Sequence, residues 1–169
     1  MSYRNLMLAA LLVASPALAN EMKFQGHALE VDGVGGAAQL VRVRGTRYAI
    51  PGTSTQVIGK ARVCLSGKDG RAGIVSVDPA GGRLEAVTRV EYEEDISVHL
   101  ARSWLTVEAE EGSFGIVLSR LGIRQQHPGN VNAEAEVFSP FLLRDDGVWK
   151  PAVAAVIEVE QSLVDCMFR

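Results

Sequence analysis

The sequence predicts an α+β fold in which two helices pack on one face of an antiparallel sheet. Segments of alternating apolar and polar residues gather in the middle of the chain, and two segments of helical period bracket them. Each helical segment also carries one of the two cysteines on its apolar stripe. Strands gathered in one stretch, instead of alternating with helices, speak against a doubly wound parallel sheet.

Residues 1–19 stand apart from that fold. Arg4 supplies a positive start, Leu6 to Ala14 is an apolar run, and Ser15-Pro16-Ala17-Leu18-Ala19 is a helix-breaking end of A-x-A form. This is the pattern of a secretory signal peptide cleaved between Ala19 and Asn20. The run is about half as long as the roughly 20 residues that a membrane span requires. The expectation is therefore a single domain over 20–169, periplasmic or secreted from a bacterium, with no stable membrane anchor.

Gln39 to Ile50 contains a strand ahead of the first helix. In Ser54 to Ser66 the residues Val57, Ile58, Ala61, Cys64 and Leu65 share one helical face. Thr53 or Ser54 can cap the start, and Gly67 can end the helix in the left-handed conformation. Gly73 to Asp78 and Arg83 to Tyr92 form a hairpin about Pro79-Ala80-Gly81-Gly82, with Leu84, Ala86, Thr88, Val90 and Tyr92 on one side of the second strand. Ser103 to Glu110 turns at Glu111-Gly112-Ser113 and returns through Phe114, Ile116 and Leu118. Val131 to Phe138 alternates as a further strand, and Ser139 to Pro151 reads as a loop. Ala152 to Met167 closes the chain as a helix whose stripe is Ala152, Val156, Val159, Leu163 and Cys166.

A secreted chain with an even pair of cysteines favours a disulfide. Cys64 and Cys166 both lie on buried stripes, so a bridge between them makes the two helices side-by-side neighbours on one sheet face. The alternative is a pair of buried, inert thiols.

Several pieces resemble one known group. They are Tyr48-Ala49-Ile50-Pro51-Gly52, Lys60-Ala61-Arg62-Val63-Cys64, Arg102 to Ala109 followed by Gly112-Ser113-Phe114, and the closing Gln161 to Cys166. Together they resemble a bacterial family of secreted proteins carrying a domain of unknown function with a TATA-binding-protein-like α+β fold. The likeness runs over 48–166, and it departs at Gly115-Ile116, where a basic residue is expected after the aromatic. It implies a fold and an envelope setting, but no catalytic residues and no DNA binding.

Composition and motifs exclude more than they assign. The chain has 17 Lys plus Arg against 20 Asp plus Glu, a net charge of −3, which is no footprint for nucleic acid. Asp32 to Ala38 lacks dinucleotide-loop spacing, and Ala61 stands where a phosphate loop needs Ser or Thr. Glu111 to Gly115 turns between two strands, unlike a nucleophile elbow. His27, His99 and His127 have no paired spacing, so they read as partly exposed imidazoles, and neither a metal nor another cofactor is expected. The acidic run Glu91, Glu93, Glu94 and Asp95 reads as a solvated strand end that protects a sheet edge, with an acid/base pair as the alternative.

Two aromatics remain as a candidate interaction surface. Trp104 falls opposite Leu105 and Val107, on the sheet face that the helices leave open, and Trp149 sits in the loop before the last helix. The competing reading has an N-terminal segment covering Trp104 and Trp149 capping the last helix. The favoured function is a non-catalytic envelope module that binds a protein or small ligand. The alternative is a hydrolase-like periplasmic enzyme whose groups converge only in the fold.

Overall fold

The computed structural model describes residues 20–33, 38–67, 71–94, 96–125, 137–143 and 149–169. Its elements are β1 (Asn20–Phe24), β2 (His27–Asp32), β3 (Gln39–Arg44), β4 (Tyr48–Ala49), α1 (Ser54–Leu65), β5 (Ala72–Asp78), β6 (Arg83–Glu94), β7 (Ser97–Glu110), β8 (Ser113–Gln125), β9 (Ser139–Pro140) and α2 (Trp149–Met167). The signal segment 1–19, most of the strand expected over 131–138, and His127 and Asp95 lie outside the described residues, as do Asp145, Asp146 and Gly147.

All strands pair antiparallel in one sheet of order β1-β2-β3-β8-β7-β6-β5, with β4 and β9 also pairing β8. Strand alternation decides which residues meet the helices. Leu84, Ala86, Thr88, Val90 and Tyr92 of β6 are buried on one side, and Ala101, Leu105, Val107 and Ala109 of β7 join them with Phe114, Ile116 and Leu118 of β8. Val57, Ile58, Ala61 and Leu65 of α1, and a broader stripe of α2 that includes Val153 and Ile157, close over that surface. A buried hydroxyl pair, Thr88 with Ser103, satisfies itself across two strands inside this core.

The two helices pack against one another and against the same sheet face. Cys64 and Cys166 form a disulfide with Cα atoms 5.9 Å apart. Thr53 begins α1 with a reciprocal capping box, its hydroxyl accepting from Gln56 N–H and its own N–H donating to Gln56 Oε1.

The structure departs from expectation in four places. First, α1 ends on Ser66, whose N–H donates to the Arg62 carbonyl, and Gly67 does not take a left-handed φ. Second, Ser139 to Pro151 is not a continuous loop, because Ser139 and Pro140 pair with β8 and Leu142 bridges to Gln39. Third, α2 begins at Trp149, with Pro151 in the first turn, where a missing N–H breaks no helical bond. Fourth, the strand expected in 39–50 is two, and an N-terminal hairpin, β1–β2, extends the sheet beyond β3. Gln25 (φ 48°) and Gly26 (φ 80°) make its two-residue turn, which needs a positive φ at both positions.

The bridge spans 102 residues of sequence separation, a loop whose closure restricts the unfolded chain by about 4 to 5 kcal/mol. Urea unfolding of a Cys64→Ser/Cys166→Ser chain beside the native one should show a loss of that order. An unchanged midpoint would contradict a bridge that stabilises through chain entropy.

Candidate functional site

The sheet face away from the helices is built by the residues that alternate with the core. Directly paired residues share a face, so the pairs Val87↔Trp104, Arg89↔Arg102, Arg83↔Glu108 and Thr106↔Val117 all lie on it. Arg42 and Arg44 of β3 extend it, opposite Ser119 and Val117. Trp104 therefore sits where the sequence placed it, half-buried on the helix-free face.

A bulge in β8 shapes the centre of this face. Arg102 pairs with Gly122 and Trp104 with Ser119, so Arg120 and Leu121 together stand opposite Ser103. Leu121 turns into the core while Arg120 turns out, and Arg120 pays for this with a φ of 48°, a left-handed backbone costing on the order of 1 kcal/mol in a residue with a Cβ. The result is a guanidinium 4.6 Å from the centroid of the Trp104 ring. Arg102 lies 4.1 Å from the Phe138 ring centroid, with Arg124 on the same ring at 5.7 Å. Val87, Arg89, Arg102, Trp104 and Arg120 line a shallow recess of about 370 Å³.

A second recess on this face, of about 470 Å³, is lined by Arg42, Arg44, Arg47, Arg83 and Glu108 among others. Its charges are matched. Glu30 accepts from both Arg42 and Arg44 at 2.7 and 2.8 Å, Arg83 holds Glu85 and Glu108 at 2.9 and 3.0 Å, and Arg47 meets Glu110 at 3.2 Å. The Arg83 guanidinium and the Ser76 hydroxyl hold the Glu85 carboxyl below its ordinary value. The Arg47 side chain lies over Gly115, at ordinary contact distance from where a Cβ there would stand.

Trp149 belongs to the other side of the sheet. As the first residue of α2 it packs edge-on against Phe24, with ring centroids 5.3 Å apart. It lines a separate recess of about 270 Å³ with Tyr92, Ile123, Phe141 and Leu142. The structure thus does not bring Trp104 and Trp149 onto one surface.

Of the two described histidines, His99 keeps its expected partial exposure and His27 does not. His99 is half-buried, stacked on Tyr92 at 5.2 Å and 3.7 Å from Glu94. Burial, followed by the Glu94 charge, pushes the Tyr92 phenol up to about 12. The acidic stretch from Glu91 onward extends beyond the last β5–β6 pair, Ala72↔Thr88. Among the described residues no group of three or more His, Cys, Asp or Glu side chains gathers in metal-binding geometry.

His27 is instead buried against Glu160 of α2, which is itself fully enclosed. Its Nδ1 donates to the Gln25 carbonyl at 2.9 Å, which leaves Nε2 facing Glu160 Oε2 at 3.1 Å. One proton lies between Nε2 and Oε2 whether it belongs to an imidazolium or to a carboxylic acid. Among the described residues Glu160 Oε1 has no partner at hydrogen-bond distance apart from the influence of the nearby Tyr48 hydroxyl, and a Cβ at Gly45 would collide with it. Burial raises the Tyr48 phenol nearby, and the Glu160 charge adds to that rise. No local motif marks this pair, whose members are 133 residues apart. Neither residue lines the recesses described above, and the pair joins the N-terminal hairpin to α2.

The titration of Glu160 has a definite sign. Burial pushes its pKa above the ordinary 4.5, with the His27 charge pulling the other way. Below 4.5 both folded and unfolded chains hold the proton; above it the unfolded chain releases the proton first, so this contribution to stability is lost as pH rises through the folded value. Thermal midpoints of the native chain, measured relative to Glu160→Gln, should therefore fall as the pH rises above the ordinary carboxyl value of 4.5. A difference that stays constant as the pH rises would contradict the assignment.

No protein-family model matches the sequence, and no curated protein matches it. Among solved structures, the chain is similar to a DUF4468 family protein from Bacteroides ovatus, at 14% sequence identity and a TM-score of 0.52, over 81% of this chain and 90% of that one. It is also similar to a TBP-like protein from Parabacteroides distasonis, at 12% identity and a TM-score of 0.54, over 88% of this chain and 97% of that one. At such identities the likeness speaks for the fold alone. The chain has a TATA-binding-protein-like α+β fold, with a disulfide joining the two helices on one side of the sheet.

Proposed function

We propose that the chain is a non-catalytic module of the bacterial envelope that binds a partner or ligand on the helix-free face around Trp104. The carrying observation is the recess itself. Among the described residues no helix covers Trp104, which remains half-buried beneath the Arg120 guanidinium. Large aromatics beside arginine are the residue types that concentrate binding energy at interfaces. The A-x-A leader pattern and the disulfide support an address outside the cytoplasm, where such bridges persist.

The reading as a binder instead of an enzyme rests on where the titratable groups sit. His27 and Glu160, the buried acid–base pair, are sealed between hairpin and helix, while the open face presents ion pairs and aromatic rings.

Capture experiments test the proposal directly. The mature chain is immobilised and exposed to a periplasmic extract, beside a Trp104→Ala chain whose circular dichroism is unchanged. Recovery of the captured component should drop tenfold or more in the variant. Equal recovery removes Trp104 from the binding face.

A further inference from the structure

The disulfide lies at an opening of the fold. Cys64 and Cys166 are the second-last residues of α1 and α2, so the bridge joins the two helices at their final turns. Both cysteines are half-buried, whereas Leu65 and Leu163 on the same stripes are enclosed. Both also line one recess of about 380 Å³ at the helix ends, together with Arg71, Ser162, Asp165 and Arg169. Access of this kind is what separates an exchangeable sulfur from an inert, buried one.

Neither helix needs the bridge to stay seated. Val57, Ile58 and Ala61 anchor α1 to the sheet, and Val153, Val156 and Ile157 anchor α2, each at 2% exposure or less. The bridge acts on stability through the unfolded chain, so cleaving it leaves that apolar burial in place.

We propose that Cys64–Cys166 is a redox site that exchanges with a small dithiol in the folded protein, the recess being the entry. A thiolate of the dithiol attacks one cysteine sulfur; the S–S bond breaks, a mixed disulfide forms, and the other cysteine leaves as a thiolate. The second thiol of the dithiol then attacks the mixed disulfide and frees the remaining cysteine. Two electrons and two protons pass from the dithiol to the bridge, and the dithiol becomes its own disulfide. Reduction thus unlinks the last turns of α1 and α2 while the sheet side of each helix stays packed, and exchange with an external disulfide restores the link.

Dithiothreitol is the probe, added to the full mature chain, with the freed thiols alkylated and counted by mass. Reduction should proceed in buffer without denaturant, at a rate proportional to dithiothreitol and independent of urea below the unfolding transition. Reduction that requires urea, or a rate that climbs with urea in step with unfolding, overturns the proposal. Ser162→Phe places a ring into the recess from the exposed side of α2. With unchanged circular dichroism it should slow reduction in buffer tenfold or more and leave the rate in unfolding urea as it was. An undiminished rate in buffer overturns the recess as the entry. The reduced chain should keep the circular dichroism of the oxidised one and regain its bridge from oxidised glutathione. A reduced chain that unfolds overturns the reversible exchange.

Discussion

Two helices can cover only one face of a sheet seven strands across, and the opposite face must be made compatible with water by its own side chains. The Cys64–Cys166 bridge sharpens this constraint, because it holds α1 and α2 together over the β6–β7–β8 core and leaves neither to cross to the other side. Everything characteristic of the helix-free face follows from that. Arginines and glutamates are prominent on it, and the guanidinium heads reach carboxylates or aromatic rings. On the same face three arginines gather around the Trp104 ring, with no carboxylate among the described residues that line that recess.

The N-terminal hairpin is attached in a different way. β2 pairs with β3 through backbone bonds, and its core side supplies Leu29 and Val31. At its start His27 reaches into the fold to meet Glu160. A fully buried carboxyl facing an imidazole is an expensive contact. It ties the first described hairpin to the last helix across nearly the whole chain, and it requires the Gly45 position to stay free of a side chain. Register and docking angle, more than net stability, are what such a contact defines.

Much of this architecture was legible in the residues because it depends on local period. The two-residue alternation in Arg83 to Tyr92 and in Leu105 to Leu118 named the buried row correctly, and the helical stripes placed Cys64 and Cys166 on facing surfaces. The hairpin β1–β2 escaped because its strands are short and mixed in polarity; Gln25-Gly26 between Phe24 and His27, followed by the alternation of His27, Leu29 and Val31, was the available signal. Trp149 falls within an expected loop because two prolines and Asp145-Asp146-Gly147 are turn signals, although proline is at home in a first helical turn. The side of the sheet on which Trp104 lies was readable, but its recess was not. A bulge that turns Arg120 outward leaves no mark on the alternation of a single strand, and the meeting of Arg89, Arg102 and Arg120 depends on the register of three strands. The same holds for His27 and Glu160, which only the closed sheet brings together.

The central claim is that Trp104 lies on an open face in a locally positive setting, although the chain is acidic overall. Collisional quenching measures both properties at once. In a mature chain carrying Trp149→Phe, iodide and caesium are compared at equal ionic strength, each normalised to acrylamide. The account predicts that Trp104 is quenched by all three and that iodide is several-fold more effective than caesium, with the excess shrinking as salt screens the arginines. Equal quenching by the two ions, or a Trp104 that acrylamide does not reach, would contradict it.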